Sequence, residues 1–527
     1  MRDAVRDLVL RMTGGRADLA GLCAEVTADI AEGSVCRPVS KDEAALLSEV
    51  RSIVAVVERD TPPDEVSAPF VLCGNLLYTR RNWLYETRVR TYVERAAAAG
   101  TDGAAAIPDE SFFANCGRDR GGNPLALDPR QKSAIVTMCR ERFSILTGGP
   151  GMGKTFTVAQ AARFVRARSS GLRLGLAAPT GKAAMRMMES MRKEMEDVPP
   201  ATTLHTLLGT NFDLVSFRHD HDNPLPLDWL IVDEASMIGL PMMAKLMDAL
   251  PDTCRLTLVG DVDQLASVER GHVFGDLCTL AAMRAKICRL DRSWRFLPDG
   301  EIARLAAAVN GNRPDDALAI LKAGSDAVDY VDISAAPAFA PRAWPKFLAR
   351  ITAGFEAFSR AGSPADALAH INDFRILCAV RKGPYGVDAI NRFVATALGQ
   401  RCPRPVMITQ NDRTFDVANG DVGVIMPDDD AWIHLPVGKD GTRAIRVELL
   451  PQVETAFATT VHKSQGSEFA DVAIVLPPHD EGNPLLTREI LYTGITRTKR
   501  RAFVYAGDPT IRCCCRQVVS RVSGLRD

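Results

Sequence analysis

The run Gly148-Gly-Pro-Gly-Met-Gly-Lys-Thr155 matches G-x-x-x-x-G-K-[ST] without exception. Gly148, Gly149, Gly151 and Gly153, with Pro150 and Met152 between them, leave the backbone free to wrap N–H groups around phosphates. Lys154 is placed to reach the β- and γ-phosphates of ATP, and Thr155 to hold Mg2+. An apolar strand, Phe143–Thr147, leads into the loop. A helix follows in which Val158, Ala161, Ala162 and Val165 share a face, and its N-terminus favours an anion. A chance glycine-rich turn is a poor account of that context. Further on, Leu230-Ile-Val-Asp-Glu-Ala-Ser236 ends an apolar strand in two acids. Asp233 suits Mg2+, directly or through water, and Glu234 suits polarising an attacking water. Such a pair is weak evidence alone and strong evidence downstream of a phosphate loop.

Other segments carry chemistry in a set order. Gln131 lies ahead of the loop in LDPRQKSAI. Behind it come Ala178-Pro-Thr-Gly-Lys-Ala-Ala184, Thr203-Leu-His205, Gly260-Asp-Val-Asp-Gln264, LDRSWRF with Arg295, Thr460-Val-His-Lys-Ser-Gln-Gly466 and Tyr492-Thr-Gly-Ile-Thr-Arg497. A motor that turns hydrolysis into motion needs a cleft whose far wall senses the γ-phosphate. The neutral amide of Gln264 can touch both that phosphate and a partner domain. Arg295 and Arg497 can reach across such a cleft as arginine fingers. A surface ion pair is the ordinary use of any single arginine, and Arg292 is left with that reading. Pro179, Thr180 and Lys182, like Thr460, His462, Lys463 and Ser464, sit in loops after strands. Small hydroxyls, amides and lysines contact nucleic-acid phosphate without reading sequence. Arg381 and Gly383, at another strand end, read better as a structural turn.

The elements that must position these residues come in two sets. Phe143–Thr147, Leu172–Ala177, Trp229–Val232 and Arg255–Val259 are short apolar runs separated by amphipathic stretches, the pattern of a parallel sheet flanked by helices. Arg375–Ala379, Val472–Leu476 and Ala502–Tyr505 form a second set. Between them, Pro405–Ile408, Val422–Met426, Ala431–Leu435 and Ile445–Leu449 break the rhythm as a small β-barrel insert. The first 95 or so residues predict mainly helix, with Leu46, Val50, Ile53 and Val57 on one face and a strand-like Phe70–Tyr78. Ala96–Ala106 is Ala/Gly-rich and predicts a linker.

The order and wording of the motifs resemble the superfamily-1 helicases, specifically their 5′→3′ branch. DEASMIGLPMMAKLMDALP, GDVDQLASVERGHVFGDLC, TLHTLLG, VHKSQGSEF and the N-terminal FVLCGNLLYTRRNWLYE are similar to the RecD family, the alpha subunits of exodeoxyribonuclease V. The resemblance spans nearly the whole chain and is thinnest over residues 310–365. It implies an α/β protein of two RecA-like P-loop motor domains. A helical, partner-docking N-terminal domain would span 1–110. Motor domain 1A would span 111–290, with a short hairpin at about 205–225 whose Asn211–Asn223 acts as a wedge. Motor domain 2A would span 291–527, with an SH3-like insert at about 404–456. By the same resemblance Gln131 reads adenine, Arg295 and Arg497 are the motif IV and motif VI arginines, and Thr203 and His205 join the single-stranded DNA track. The implied activity is ATP-dependent 5′→3′ unwinding in double-strand break repair and recombination, on single- and double-stranded DNA ends. The implied partners are a RecB-like chain carrying the nuclease and a RecC-like bridge, in a cytoplasmic heterotrimer.

Composition bounds these expectations. The 527 residues are 46 % hydrophobic and 24 % charged, which is ordinary for a soluble globular protein of several domains. A net charge of −1 argues against coating nucleic acid by bulk charge but allows a local basic track. The 13 cysteines form no CxxC pairs, and Cys513, Cys514 and Cys515 are consecutive, so free thiols in a reducing compartment are expected. No apolar run approaches the ~20 residues of a membrane span. MRDAVRDLVLRM is too charged for a signal peptide. No acid–lysine cluster at nuclease spacing is visible. Two other readings stand beside the helicase subunit: a free-standing helicase of the same branch, and a scaffold whose ATPase is vestigial. The intact Lys154, Thr155, Asp233, Glu234, Gln264 and Arg497 disfavour the scaffold.

Overall fold

The computed structural model describes residues 2–99, 107–117, 126–169, 171–210, 216–267, 269–295, 300–334, 344–412, 414–438, 441–450, 452–479 and 483–526. Two parallel sheets dominate. The first runs, in spatial order, Ile287–Arg289, Phe143–Thr147, Arg255–Gly260, Trp229–Val232, Leu174–Ala178 and Ala201–Thr203. The second runs Val328–Asp332, Thr498–Ala506, Phe469–Val475, Phe374–Cys378 and Ala458–Thr460. Phe143–Thr147, Leu174–Ala178 and Phe374–Cys378 are buried at every residue, which is why they read as unbroken apolar runs rather than alternating ones. In such sheets the crevice outside the carboxyl ends of the strands is where ligands bind. The phosphate loop, Pro179, Glu234 and Asp261 all follow carboxyl ends of the first sheet, and Arg381 and His462 follow those of the second.

An antiparallel sheet interrupts the second unit, in the order Gly441–Arg446, Asp429–Val437, Val422–Met426, Arg404–Ile408 and Val453–Thr455. Val406, Ile408, Ile425, Ile433, Leu435 and Ile445 give it a core of its own. The strand expected over Ile445–Leu449 stops at Arg446, where Val447–Leu449 turns as a short 3-10 helix.

The expectation of a helical N-terminal domain is corrected. Cys36–Pro38, Leu76–Thr79, Phe70–Cys73 and Val54–Val57 form a mixed four-stranded sheet. Leu46, Val50, Ile53 and Val57 therefore do not share a helix. The helix is Lys41–Ser48, started by a capping box between Ser40 and Glu43. Val54–Val57 pairs in parallel with Phe70–Cys73. The β-branched run Ile53-Val54 and Val56-Val57 is stiff at χ1 and fits a pleated surface better than a helix. After this sheet the helix Arg80–Ala98 packs on Leu240–Asp248, and Tyr92 meets Phe143 edge-on at 5.7 Å. The N-terminal unit thus shares a core with the first parallel sheet.

Most of the expected linker, residues 100–106, lies outside the described residues, as does 211–215 of the expected wedge. The described part of that hairpin includes a bridge between Thr210 and Phe217 and a turn in which Asp220 Oδ1 accepts from the Asp222 and Asn223 N–H groups. Among the described residues no helix is long and apolar enough to cross a membrane.

Candidate nucleotide and nucleic-acid site

The phosphate loop turns through two left-handed glycines, Gly151 (φ 76°) and Gly153 (φ 81°). Neighbours crowd it so closely that side chains would not fit. A Cβ on Gly148 would lie 2.9 Å from the Leu290 carbonyl oxygen, and one on Gly153 2.9 Å from Gln131 Nε2. A Cβ on Gly151 would collide with Arg295. Lys154 Nζ donates to the Gly148 and Gly149 carbonyls at 2.6 and 3.0 Å. Thr155 is half-buried on the first turn of the helix Lys154–Arg168.

The strand carrying Asp261 lies between the phosphate-loop strand and the strand carrying Asp233. Three acids and Lys154 therefore converge. Burial and the charge of Glu234 push Asp233 up to about 6, while the Glu234 N–H and Lys154 pull it down. Burial also raises Asp261, with Lys154 opposing. Carboxylates held against their preference in this way favour a cation. Asp233 and Thr155 are the residues that would hold Mg2+, with ATP phosphates and water completing its shell. Glu234 sits in left-handed backbone at φ 51°, a conformation that non-glycine residues reach at a cost and that clusters at functional sites.

The far wall is bonded to the near wall. Gln264 Nε2 donates to Asp261 Oδ2 at 2.9 Å, and Gln264 Oε1 accepts from Arg497 Nη2 at 2.6 Å. The Leu265 N–H donates to Thr493 Oγ1 at 3.1 Å, and Gln465 Nε2 donates to the Leu265 carbonyl at 2.9 Å. Arg497 caps the helix Arg488–Thr496 and is only 3 % exposed. Its Nε, like Arg295 Nη1, is a buried donor with no hydrogen-bond partner among the described residues. Two unsatisfied guanidinium donors, Arg295 against Gly151 of the phosphate loop and Arg497 on Gln264, are costly alone and well suited to an anion. Arg295 pairs with Glu468. Burial raises the Glu468 pKa, but Arg295, Arg186 and Lys499 outweigh that and hold it low.

Gln131 is buried and shared. Its Oε1 accepts from the Asp128 N–H, capping its own helix, and its Nε2 donates to Thr157 Oγ1 at 3.4 Å. It lies behind the loop and not on a helix surface.

The expected nucleic-acid contacts divide. Thr180 and Thr203 cap the helices Gly181–Arg192 and Leu204–Leu208. His205 is exposed, its ring 5.9 Å from that of Phe217. Pro179, Lys182, Thr460 and His462 are half-buried, and Lys463 is exposed. Ser464 is buried and donates its hydroxyl to the Val461 carbonyl, so it serves its own turn. Lys463 Nζ meets Glu454 at 3.2 Å, and Arg381 Nη2 meets the same carboxylate at 2.5 Å.

Four residues escaped sequence reasoning. Asp261 and Glu468 stood inside GDVDQ and VHKSQGSEF, but only the fold shows that they receive Gln264 and Arg295. Arg186 donates to the Gly466 carbonyl at 2.7 Å and so crosses between the two units. Trp294 is 43 % exposed, lies against Gly153 and has Arg292 over its ring at 4.5 Å. A ring so placed can stack on a flat base. An aromatic next to Arg295 was the available signal.

Residues 131–270 match the AAA domain family and residues 455–505 match the UvrD-like helicase C-terminal domain. Fold, cleft and these matches define a superfamily-1 ATP-dependent DNA helicase. A RecBCD enzyme subunit RecD from Mycolicibacterium smegmatis is 37 % identical over 482 residues, covering 86 % of this chain and 82 % of the relative. The chain belongs to the RecD family, the helicase subunits of the RecBCD enzyme. An ATP-dependent RecD2 DNA helicase from Deinococcus radiodurans is 32 % identical over 391 residues, covering 72 % of this chain and 48 % of that one. The Bacteroides Pif1 helicase with ADP-AlF3 and single-stranded DNA aligns over 74 % of this chain and 94 % of its own at TM-score 0.43 and 16 % identity, a match too loose to position any residue.

Proposed function

We propose that this chain is the 5′→3′ motor of a RecBCD-type heterotrimer, working with RecB-like and RecC-like chains on DNA ends in the cytoplasm. The observation that carries the motor assignment is the Asp261–Gln264–Arg497 relay, which joins the γ-phosphate side of one sheet to the helix of the other. In this reading Lys154 and Thr155 hold the phosphates and Mg2+, Asp233 holds Mg2+, and Glu234 orients water. Arg497 and Arg295 receive developing charge, Gln131 and Trp294 flank the base, and Gln264 reports phosphate occupancy across the cleft. Mg2+ held by Thr155 and Asp233 would supply neutralisation of phosphate charge. Residues 1–110 dock partners, 111–290 and 291–527 are the two motor domains, and the antiparallel insert is their SH3-like subdomain. Similarity favours a subunit over a free-standing enzyme, since the RecBCD relative is 37 % identical over 482 residues and the RecD2 helicase 32 % over 391. Strand displacement on 5′- and 3′-overhang substrates, with and without the two partner chains, tests this. Unwinding from 3′ overhangs alone would overturn the polarity.

The nucleic-acid track is proposed to run over Pro179, Thr180, Lys182, Thr203, His205, Thr460, His462 and Lys463. Two predictions arise from it. Burial, helped by Arg186 and Arg375 and opposed by Asp421, pushes the Lys182 ammonium down to about 7. Below that pH Lys182 is charged and can pair with phosphate. Above it the free protein must take up a proton to do so, so affinity for single-stranded DNA should fall by up to about tenfold per pH unit. Fluorescence anisotropy between about pH 6 and 8.5 measures this, and Lys182→Arg, which stays charged, should flatten the profile. Second, Glu454 occupies both Lys463 and Arg381. Burial raises its pKa, but those two cations outweigh burial and keep it ionised. Glu454→Gln should free them and tighten DNA binding about two- to fivefold, within the worth of exposed ion pairs. Weaker binding by that variant would mean the carboxylate organises the track instead of competing with DNA.

A further inference from the structure

Residues 518–526 leave the helix Asp508–Arg516 and cross three parts of the molecule. The Val519 N–H donates to the carboxylate of Glu489, on the helix that Arg497 caps, at 3.3 and 3.4 Å. Arg521 Nη1 then donates to the carbonyls of Ser267, Glu269 and Gly271, each at 2.8 Å. Val522 accepts from the Val35 N–H at 2.8 Å. Ser523 Oγ and the Gly524 N–H donate to buried Glu86 at 3.1 and 3.0 Å, and Tyr78 donates to its other oxygen at 2.8 Å. Arg526 pairs with buried Asp276 at 2.7 Å.

Ser267, Glu269, Arg270 and Gly271 belong to a segment that follows Gln264 and Leu265 closely in the chain. Thr493, Gln465 and Arg497 hold its start from the second motor unit. Arg521 holds its end. Three carbonyl oxygens aimed at one point repel each other, and a cationic donor between them offsets that repulsion. Room for that donor comes from the N-terminal unit. Gly33 lies at φ 105°, and a Cβ there would lie 2.8 Å from Arg521 Nε. Gly33 also accepts from the Gly271 N–H at 2.8 Å.

We propose that Arg521 is a positioning residue for the Gln264–Arg497 contact, and that residues 518–526 are the strap through which the N-terminal unit acts on the ATP cleft. This rests on the motor reading of Gln264 and Arg497. Among the described residues Arg521 is hydrogen-bonded to none of the nucleotide site, so its loss displaces the sensor and leaves the phosphate loop alone. The test uses the full chain in complex with its partners. Arg521→Ala should keep its melting temperature within a few degrees and its KM for ATP within about twofold, while DNA-stimulated kcat falls about tenfold. A kcat within about twofold of the parent overturns the proposal, as does a parallel loss of KM, kcat and melting temperature, the mark of a purely structural role. Should Arg521→Ala not fold, Gly33→Ala decides. Its methyl pushes the guanidinium aside without removing it, and unchanged kcat in that folded variant overturns the proposal. Absence of DNA-stimulated ATPase in the parent complex would instead refute the motor reading.

Discussion

A Lys154→Ala chain is expected to fold and to turn over no ATP. Among the described residues the lysine is hydrogen-bonded to two carbonyls of its own loop and to no other element. No core contact is lost, so the melting temperature should hold. The catalytic loss is double. Lys154 is the cation of the phosphate loop, and its charge also opposes burial at Asp233, beside the Glu234 N–H, and at Asp261, beside Gln264 and the Asp263 N–H. Asp233 already stands at about 6. Without Lys154 it shifts further up, and more of it is protonated at neutral pH. One substitution therefore removes the phosphate contact and weakens the Mg2+ ligand. Steady-state phosphate release over a Mg2+ titration checks both. Ordinary hydrolysis would refute the site, and full rescue by Mg2+ would show that only the metal ligand had been damaged.

Arg497→Ala should still bind ATP but hydrolyse it about 10³-fold more slowly, the scale of an arginine finger. Nucleotide binding measured by fluorescence, set against single-turnover hydrolysis, separates the two steps. The change also strands the Gln264 amide oxygen inside the cleft, at a cost of about 1–3 kcal/mol. Lysine is a poor substitute, because one guanidinium serves Gln264 and Ser467 together. Gln264→Ala isolates the relay. If relay and finger are one device, the double variant should be little worse than Arg497→Ala alone. An unchanged hydrolysis rate in Arg497→Ala would move the finger role to Arg295.

Local chemistry was legible in the sequence, and long-range pairing was not. The phosphate loop, the Asp233–Glu234 end and the Thr460–Gly466 loop announce themselves because each needs its residues close together in the chain. The core strands of both parallel sheets were legible because burial on both faces leaves long apolar runs. Ala201–Thr203 and Ile287–Arg289 escaped, being three-residue edge strands with too few positions to show a pattern. The N-terminal sheet escaped because Val54–Val57 is defined by pairing with Phe70–Cys73, and Val50–Val57 also satisfies a helical spacing. Partner choice was hidden for the same reason. Gln264 and Arg497 are 233 residues apart, Arg295 and Glu468 173, and Arg521 and Ser267 254. No local rule says which buried guanidinium meets which oxygen.

Glu86 has a consequence for how the chain is made. It is fully buried, and burial drives its carboxyl toward the protonated form. Two of its donors come from Ser523 and Gly524, more than 430 residues later. At roughly 5–20 residues per second, a ribosome needs on the order of 20–90 s to deliver them. During that interval Glu86 has, of its three donors among the described residues, Tyr78 alone. The N-terminal unit is thus synthesised long before it reaches its final stability, and a nascent chain should show late protection from proteolysis around Glu86. Premature termination before Ser523 would leave motors that are complete in every motif yet carry a loose N-terminal unit.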